Sequence, residues 1–270
     1  MISLTLKSRP PGRLSLAGLT PDRLRALGEA EIAKLPVTHG NRRSVLGDWF
    51  DVRVTGAAEE QMTITGPGGD RLDDVGGGMA SGELTVEGDL GARAGLAMAG
   101  GRLTVSGSTG YAAATAMRDG EIWIGGDAGE GLGGALPGDR VGMRGGTVIV
   151  AGAAQSGVGD RMRRGLIVVA GSAGLFCGTR LAAGTIVVGG GIGDNPGVAM
   201  HHGSIVALGG AMRLSPSFAD CGVHELVVHR LLARHLAQLG LTALASRIGP
   251  LRRFLGDRAE AGRGEILVPP

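Results

Sequence analysis

Apolar and polar positions alternate in short bursts along the middle of the chain, and glycine brackets each burst. Counted from an anchor glycine, the second and fourth following positions are apolar in seven rows. These are Leu84/Val86, Leu103/Val105, Ile122/Ile124, Val148/Val150, Ile167/Val169, Ile186/Val188 and Ile205/Ala207. The anchors are Gly82, Gly101, Gly120, Gly146, Gly165, Gly184 and Gly203, so the steps are 19, 19, 26, 19, 19 and 19 residues. The long step is a normal one with seven residues inserted, placed around Ala135–Val141. Six places after every anchor stands another glycine. Three places before it stands a methionine, except in one row, where it is Leu181.

Two apolar positions one residue apart point to the same side of a short strand. One row cannot bury that side alone, but stacked rows can. Glycines at both ends permit the positive-φ turns that fold the chain back. Methionine, unbranched and adaptable, suits the inside of a tight corner. The pattern therefore predicts an all-β solenoid, a parallel β-helix of about seven 19-residue rungs. At about 4.8 Å per rung it extends on the order of 30 Å. The period argues against a hexapeptide acyltransferase, whose coils need multiples of six residues.

The outward third position reads Thr85, Thr104, Trp123, Ile149, Val168, Val187, Val206. Its last four members form an apolar outer stripe that needs a cover. The first position begins Glu83, Arg102, Glu121, which suits a solvated face or a polar interface rim. The ends break the pattern. Met1–Lys7 alternates like a strand, Thr20 and Pro21 read as an N-cap and first helical residue, and Trp49–Val54 reads as a strand. Gly222–Leu239 reads as an amphipathic helix through Leu226, Leu231, Leu232, Leu236 and Leu239, lying on the stripe or capping the last rung. The expected organisation is an N-terminal α/β cap over 1–60 (strand, short helices, strand), rungs over 61–210 and a C-terminal helical tail over 211–270.

Composition adds exclusions. There are 53 glycines in 270 residues without an every-third-residue period, so the chain is not collagen. A hydrophobic share of 43% supports a substantial core and excludes disorder. Net charge is +2, but Lys7 and Lys34 are the only lysines among 27 basic residues. That arginine bias reflects genome composition or carboxylate and phosphate recognition. Aromatics at 3% and no basic run beyond two residues argue against nucleic-acid binding. No apolar run is long enough for a membrane span and no signal peptide is visible, so a cytoplasmic protein without membrane contact is expected.

Candidate catalytic chemistry is sparse. His224 and His229 resemble a zinc-binding H-E-x-x-H pair, but the second comes one residue late. On a helix that leaves them about 140° apart, as surface histidines. Cys177 reads as a packed residue, and His201–His202 as a surface turn. The run Gly189–Asp194 lacks a full nucleotide-loop motif and belongs to the repeat. No catalytic or metal-ligating set is assigned.

A sharper pattern, G-x-x-G-x-x-x-G, is complete at Gly88/Gly91/Gly95, Gly171/Gly174/Gly178 and Gly190/Gly193/Gly197. It is partial at Gly107/Gly110/Ala114 and Gly152/Gln155/Gly159. It resembles the right-handed β-helix at the C-terminus of the glutamate synthase large subunit, and the C subunit of formylmethanofuran dehydrogenase. Chain length, the leader ending in Leu46–Val52 and the tail fit the second better. The Arg-rich sequence without an iron–sulfur motif most resembles the bacterial form, the C subunit of the formyltransferase/hydrolase complex of methylotrophs.

That resemblance implies a non-catalytic scaffold in a heteromer that moves formyl from formyl-tetrahydromethanopterin to a methanofuran-type carrier and releases formate. Its implied partners are an amidohydrolase-like hydrolase, a formyltransferase and a dehydrogenase-B-like subunit, with carrier and zinc bound there. The alternative is a glutamate-synthase-type domain coupling an amidotransferase to a partner enzyme. One charge pattern bears on the carrier. Arg118, Arg144 and Arg163 stand two places before successive anchors, and Arg161 and Arg180 four places before theirs. Stacking sets such like charges side by side. Arg144, Arg161, Arg163 and Arg180 either splay into water, hold the carrier's glutamate-bearing tail or meet an acidic partner.

Overall fold

Each row becomes a short strand, from Glu83–Val86 through Ala99–Val105, Asp119–Ile124, Thr147–Val150, Leu166–Val169 and Thr185–Val188 to Ser204–Ala207. These strands pair in parallel and in register, with Leu84 beside Leu103, Leu103 beside Ile122 and onward to Ile205. The insertion does not disturb the register, since Glu121 still pairs with Thr147. The second and fourth residues after every anchor glycine are at most 2% exposed. A further column of parallel bridges joins Leu90, Thr109, Ala128, Ala154, Ala173 and Ile192. The structure is a computed structural model describing residues 1–56, 60–210 and 212–270; the tail's expected first residue, Ala211, lies outside the described residues.

The parallel ladder is longer than the sequence pattern. Ile2–Leu6 and Gln61–Thr65 precede it and Gly264–Val268 follows it, within one 13-stranded sheet. Phe50–Val54 closes one edge antiparallel, as do Leu251–Gly256 and Ala219–His224 at the other. A small second sheet is ordered Arg42–Val45, Pro36–His39, Leu14–Ser15, Leu72–Asp73. It is tied to the first repeat by Asp74, which accepts from Arg93 Nε at 2.6 Å and Ser15 Oγ at 2.6 Å. That carboxylate in turn raises the Arg93 pKa.

The two glycine columns serve different ends. All seven anchors have positive φ, from +77° to +107°. The closing glycines do not, Gly88 excepted, which corrects the expectation of a turn at both ends. They are required by proximity: a Cβ on Gly171 would lie 2.6 Å from Gly152 O, in the backbone of the preceding repeat. The methionine column fills the corner as expected. Met98 Cε sits 2.9 Å from where a Cβ of Gly120 would stand.

The ends bring three corrections. Thr20 has extended N-cap geometry before Pro21–Leu24, but its hydroxyl makes no cap bond and is buried without a partner among the described residues. The tail helix runs Val227–Gln238, five residues shorter at its start than expected, because Ala219–His224 is a strand with Gly222 at φ +82°. The tail also contributes three strands, and Gly264–Val268, rather than a helix, covers the last repeat. The helix does lie on the outer stripe. Leu232, Leu236 and Leu239 pack against Ile149, Val168, Val187 and Val206, which are 2, 0, 0 and 0% exposed.

Candidate functional site

The four candidate arginines fall into two pairs. Arg144 and Arg163 occupy the same place in successive repeats. Their backbone N–H groups donate to Met117 O at 2.7 Å and Met143 O at 2.8 Å, so the register holds them one repeat apart. Both are exposed, and with Arg164 and Val141 they line a cleft of about 300 Å³. Val141 comes from the end of the insertion, which returns through a Gly142 N–H bond to Arg161 O at 3.0 Å. Arg164 escaped the sequence reading because it stands one place before its anchor, outside the two columns followed; the signal was three arginines in the four residues Arg161–Arg164.

Arg161 and Arg180 are committed elsewhere. Arg180 makes a bidentate pair with Asp160, 2.9 Å from Nε to Oδ1 and 2.7 Å from Nη2 to Oδ2. Arg161 Nη1 donates to Asp139 O in the insertion. Both sit in the left-handed region, φ +55° and +52°. The structure therefore does not bring all four into one column of free charge. Arg144, Arg163 and Arg164 make no ion pair among the described residues. Three guanidiniums around one cleft suit a ligand with two or more carboxylates, each able to accept paired N–H bonds.

No family model matches the chain. The C subunit of the formyltransferase/hydrolase complex Fhc of Methylorubrum extorquens is 44% identical over 93 residues, 34% of either chain. The C subunit of the molybdenum-containing formylmethanofuran dehydrogenase 1 of Methanothermobacter thermautotrophicus is 36% identical over 77 residues, 28% of this chain and 19% of that one. The matched stretches thus span about a third and about a fifth of these curated relatives. Among solved structures, one chain of the crystal structure of the formyltransferase/hydrolase complex FhcABCD from Methylorubrum extorquens, in complex with methylofuran, superposes with a TM-score of 0.92. It is 42% identical, over 99% of both chains. This chain belongs to the C-subunit family of the formyltransferase/hydrolase complex.

Within this family member the other reactive side chains stand apart. His224 ends a strand, its Nε2 2.8 Å from Cys221 O, while His229 lies on the helix and is 2% exposed. The expectation of two surface histidines on one helix is therefore corrected, since His224 lies on a strand and His229 is buried. His201 and His202 are exposed. Cys177 is buried, which pushes its thiol up to about 12 and disables it as a nucleophile at neutral pH. Among the described residues no three His, Cys, Asp or Glu side chains gather as a metal site requires, and no helix is long and apolar enough to cross a membrane.

Proposed function

We propose that this chain is the scaffold subunit of a formyltransferase/hydrolase complex. The observation that carries the reading is its full-length likeness, at 42% identity, to a chain of such a complex. In this reading the repeats form a right-handed parallel β-helix, supported by two columns of parallel pairing one repeat apart. Residues 1–60, 61–210 and 211–270 serve as cap, rod and tail. Companion subunits, a formyltransferase, an amidohydrolase-like hydrolase and a dehydrogenase-B-like subunit, move formyl from formyl-tetrahydromethanopterin to a methanofuran-type carrier and release formate. Carrier and zinc are bound on those companions. The cleft of Arg144, Arg163 and Arg164 takes the carrier's carboxylate tail or an acidic partner surface. Arg161 and Arg180 brace it through Asp139 and Asp160.

Tagging the chain in its native host tests this. Recovery of formyltransferase and amidohydrolase-like companions, with no formyl transfer or hydrolysis by the isolated chain, is the expected result. Turnover by the partner-free, metal-replete protein, or recovery without such companions, overturns it.

A further inference from the structure

The tail helix Val227–Gln238 has a second face. Flanking the leucines packed on the sheet, Val227, Val228 and Leu231 are 67, 54 and 60% exposed. Their spacing of three and four residues makes them one patch. Beside them a cavity of about 250 Å³ opens between helix and sheet, its apolar walls formed by Val206, Val228, Leu231, Leu232 and Leu267. Exposed apolar surface next to an unfilled apolar cavity marks a place where another surface fits.

Two polar observations define that surface. His229 lines the cavity, and its Nδ1 accepts the backbone N–H of Leu226 at 3.5 Å. In the neutral ring the proton then sits on Nε2, a buried donor with no acceptor among the described residues. Leaving such a donor unpaired is unfavourable, and an oxygen entering the cavity relieves it. The rim is basic. Arg234 has no ion pair among the described residues, Arg230 reaches only Glu225 at 3.6 Å, and His235 lines the mouth. The cavity's carboxylate, Glu265, is already taken by Ser204 and Arg253 at 2.6 Å each.

We infer that this face docks an acidic segment of another polypeptide. That segment inserts an apolar side chain into the cavity, presents a carbonyl or carboxylate oxygen to His229 Nε2 and sets acidic residues against Arg230 and Arg234. A second copy of this chain is a poor occupant, because a two-fold contact sets the same basic rim against itself. The inference deepens the scaffold reading by assigning a companion's docking surface, and it is independent of the arginine cleft.

The test compares the assembly purified through a tag on this chain with the chain made alone. Hydroxyl-radical footprinting reads the side chains of Val228 and Leu231 directly. Modification of both is expected to fall at least about fivefold in the assembly. Leu231→Asp and Arg234→Glu are each expected to lower companion recovery about tenfold while the isolated variants melt like the parent. Equal footprints with undiminished recovery overturn the inference, as does a chain that purifies alone. Concentration-dependent dimerisation lost in Leu231→Asp overturns it in favour of a second copy. Binding to phosphatidylserine vesicles, lost in the same variant and without protection in the assembly, overturns it in favour of a lipid surface. Protection by companions that are not formyltransferase/hydrolase subunits leaves the docking face standing and removes the scaffold reading alone.

Discussion

Replacing Gly171 by alanine tests whether backbone proximity, rather than turn geometry, demands the closing glycines. Gly171 has no positive φ, so alanine there meets no conformational penalty. Its Cβ would lie 2.6 Å from Gly152 O, 2.8 Å from Gly152 C and 3.0 Å from Ala153 N, all backbone of the repeat before. Reaching ordinary contact at 3.4 Å requires the repeats to part by about 0.8 Å. The Gly171 N–H bond to Gly152 O, now 2.9 Å, then leaves hydrogen-bond range, and its neighbour from Ala170 to Val150, at 2.8 Å, is strained with it. One or two such bonds at about 1 kcal/mol each, plus about 1–3 kcal/mol for overpacking, give a loss of roughly 2–5 kcal/mol. For a chain of this size that lowers Tm by about 4–9 °C. The control is Gly191→Ala, an exposed position with nothing within 4 Å of the added Cβ, expected to change stability by about 0.5 kcal/mol or less. Circular-dichroism melts of both variants decide the matter. If Gly171→Ala melts within about 2 °C of Gly191→Ala, the proximity argument is wrong.

Arg144→Ala with Arg163→Ala is expected to weaken carrier binding or complex assembly about tenfold at low ionic strength and less at high salt, because the cleft acts by screened charge. Titrations at two salt concentrations measure this, and unchanged affinity, assembly and salt slope reduce the cleft to a solvated face. Asp257 pins the tail to the last repeat: burial alone would raise its pKa, but hydrogen bonds from Ser217 and from the backbone N–H groups of Ala199 and Ala259 outweigh that and hold it below its ordinary 3.8. Its contribution is therefore complete above that value and fades as pH falls through the lower folded-state value. The urea-measured stability gap between the parent and Asp257→Asn is expected to be constant from pH 7 to about pH 5 and to close below about pH 4.

The repeat was legible because its signal recurs. Seven rows place glycine and two apolar residues in the same register, six of them with the corner methionine, and all seven form parallel, in-register strands. Gln61–Thr65 falls inside the expected span of rungs but was not read as a row, because Glu60 stands where an anchor glycine is expected. Gly264-Glu-Ile-Leu-Val268 fits the row pattern, but it lies 61 residues past Gly203, so no fixed step leads to it. For the arginines, the register gives place but not pairing. A one-dimensional register shows that Arg161 and Arg180 stack, but not that Asp160 and the insertion turn toward them. His224 was misplaced because the leucine spacing was read as one helix from Gly222, whereas the chain changes from strand to helix between its two histidines; His229 stays on the helix but is buried.

The outer third column explains where the tail rests, and it supports one more test. Thr63, Thr85 and Thr104 leave the first part of that face polar and unburied, while Ile149, Val168, Val187 and Val206 make the later part apolar. Trp123 stands at the change and packs against the covered cluster. The tail leucines follow the apolar half because only there does covering the sheet remove apolar surface from water without stranding hydroxyls. Valine and threonine have nearly the same shape, so exchanging them changes polarity with little change in packing. Val187→Thr puts a hydroxyl at a position 0% exposed, within the apolar cluster under the tail, and is expected to cost about 1–3 kcal/mol. Thr85→Val, on the exposed half, is expected to leave stability within about 0.5 kcal/mol. Because the penalty acts through the tail, Val187→Thr also speeds proteolysis within 226–245 before the repeats are cut. Equal stability of the two variants, or cleavage that begins in the repeats, would mean that something other than the apolar half of the column holds the tail.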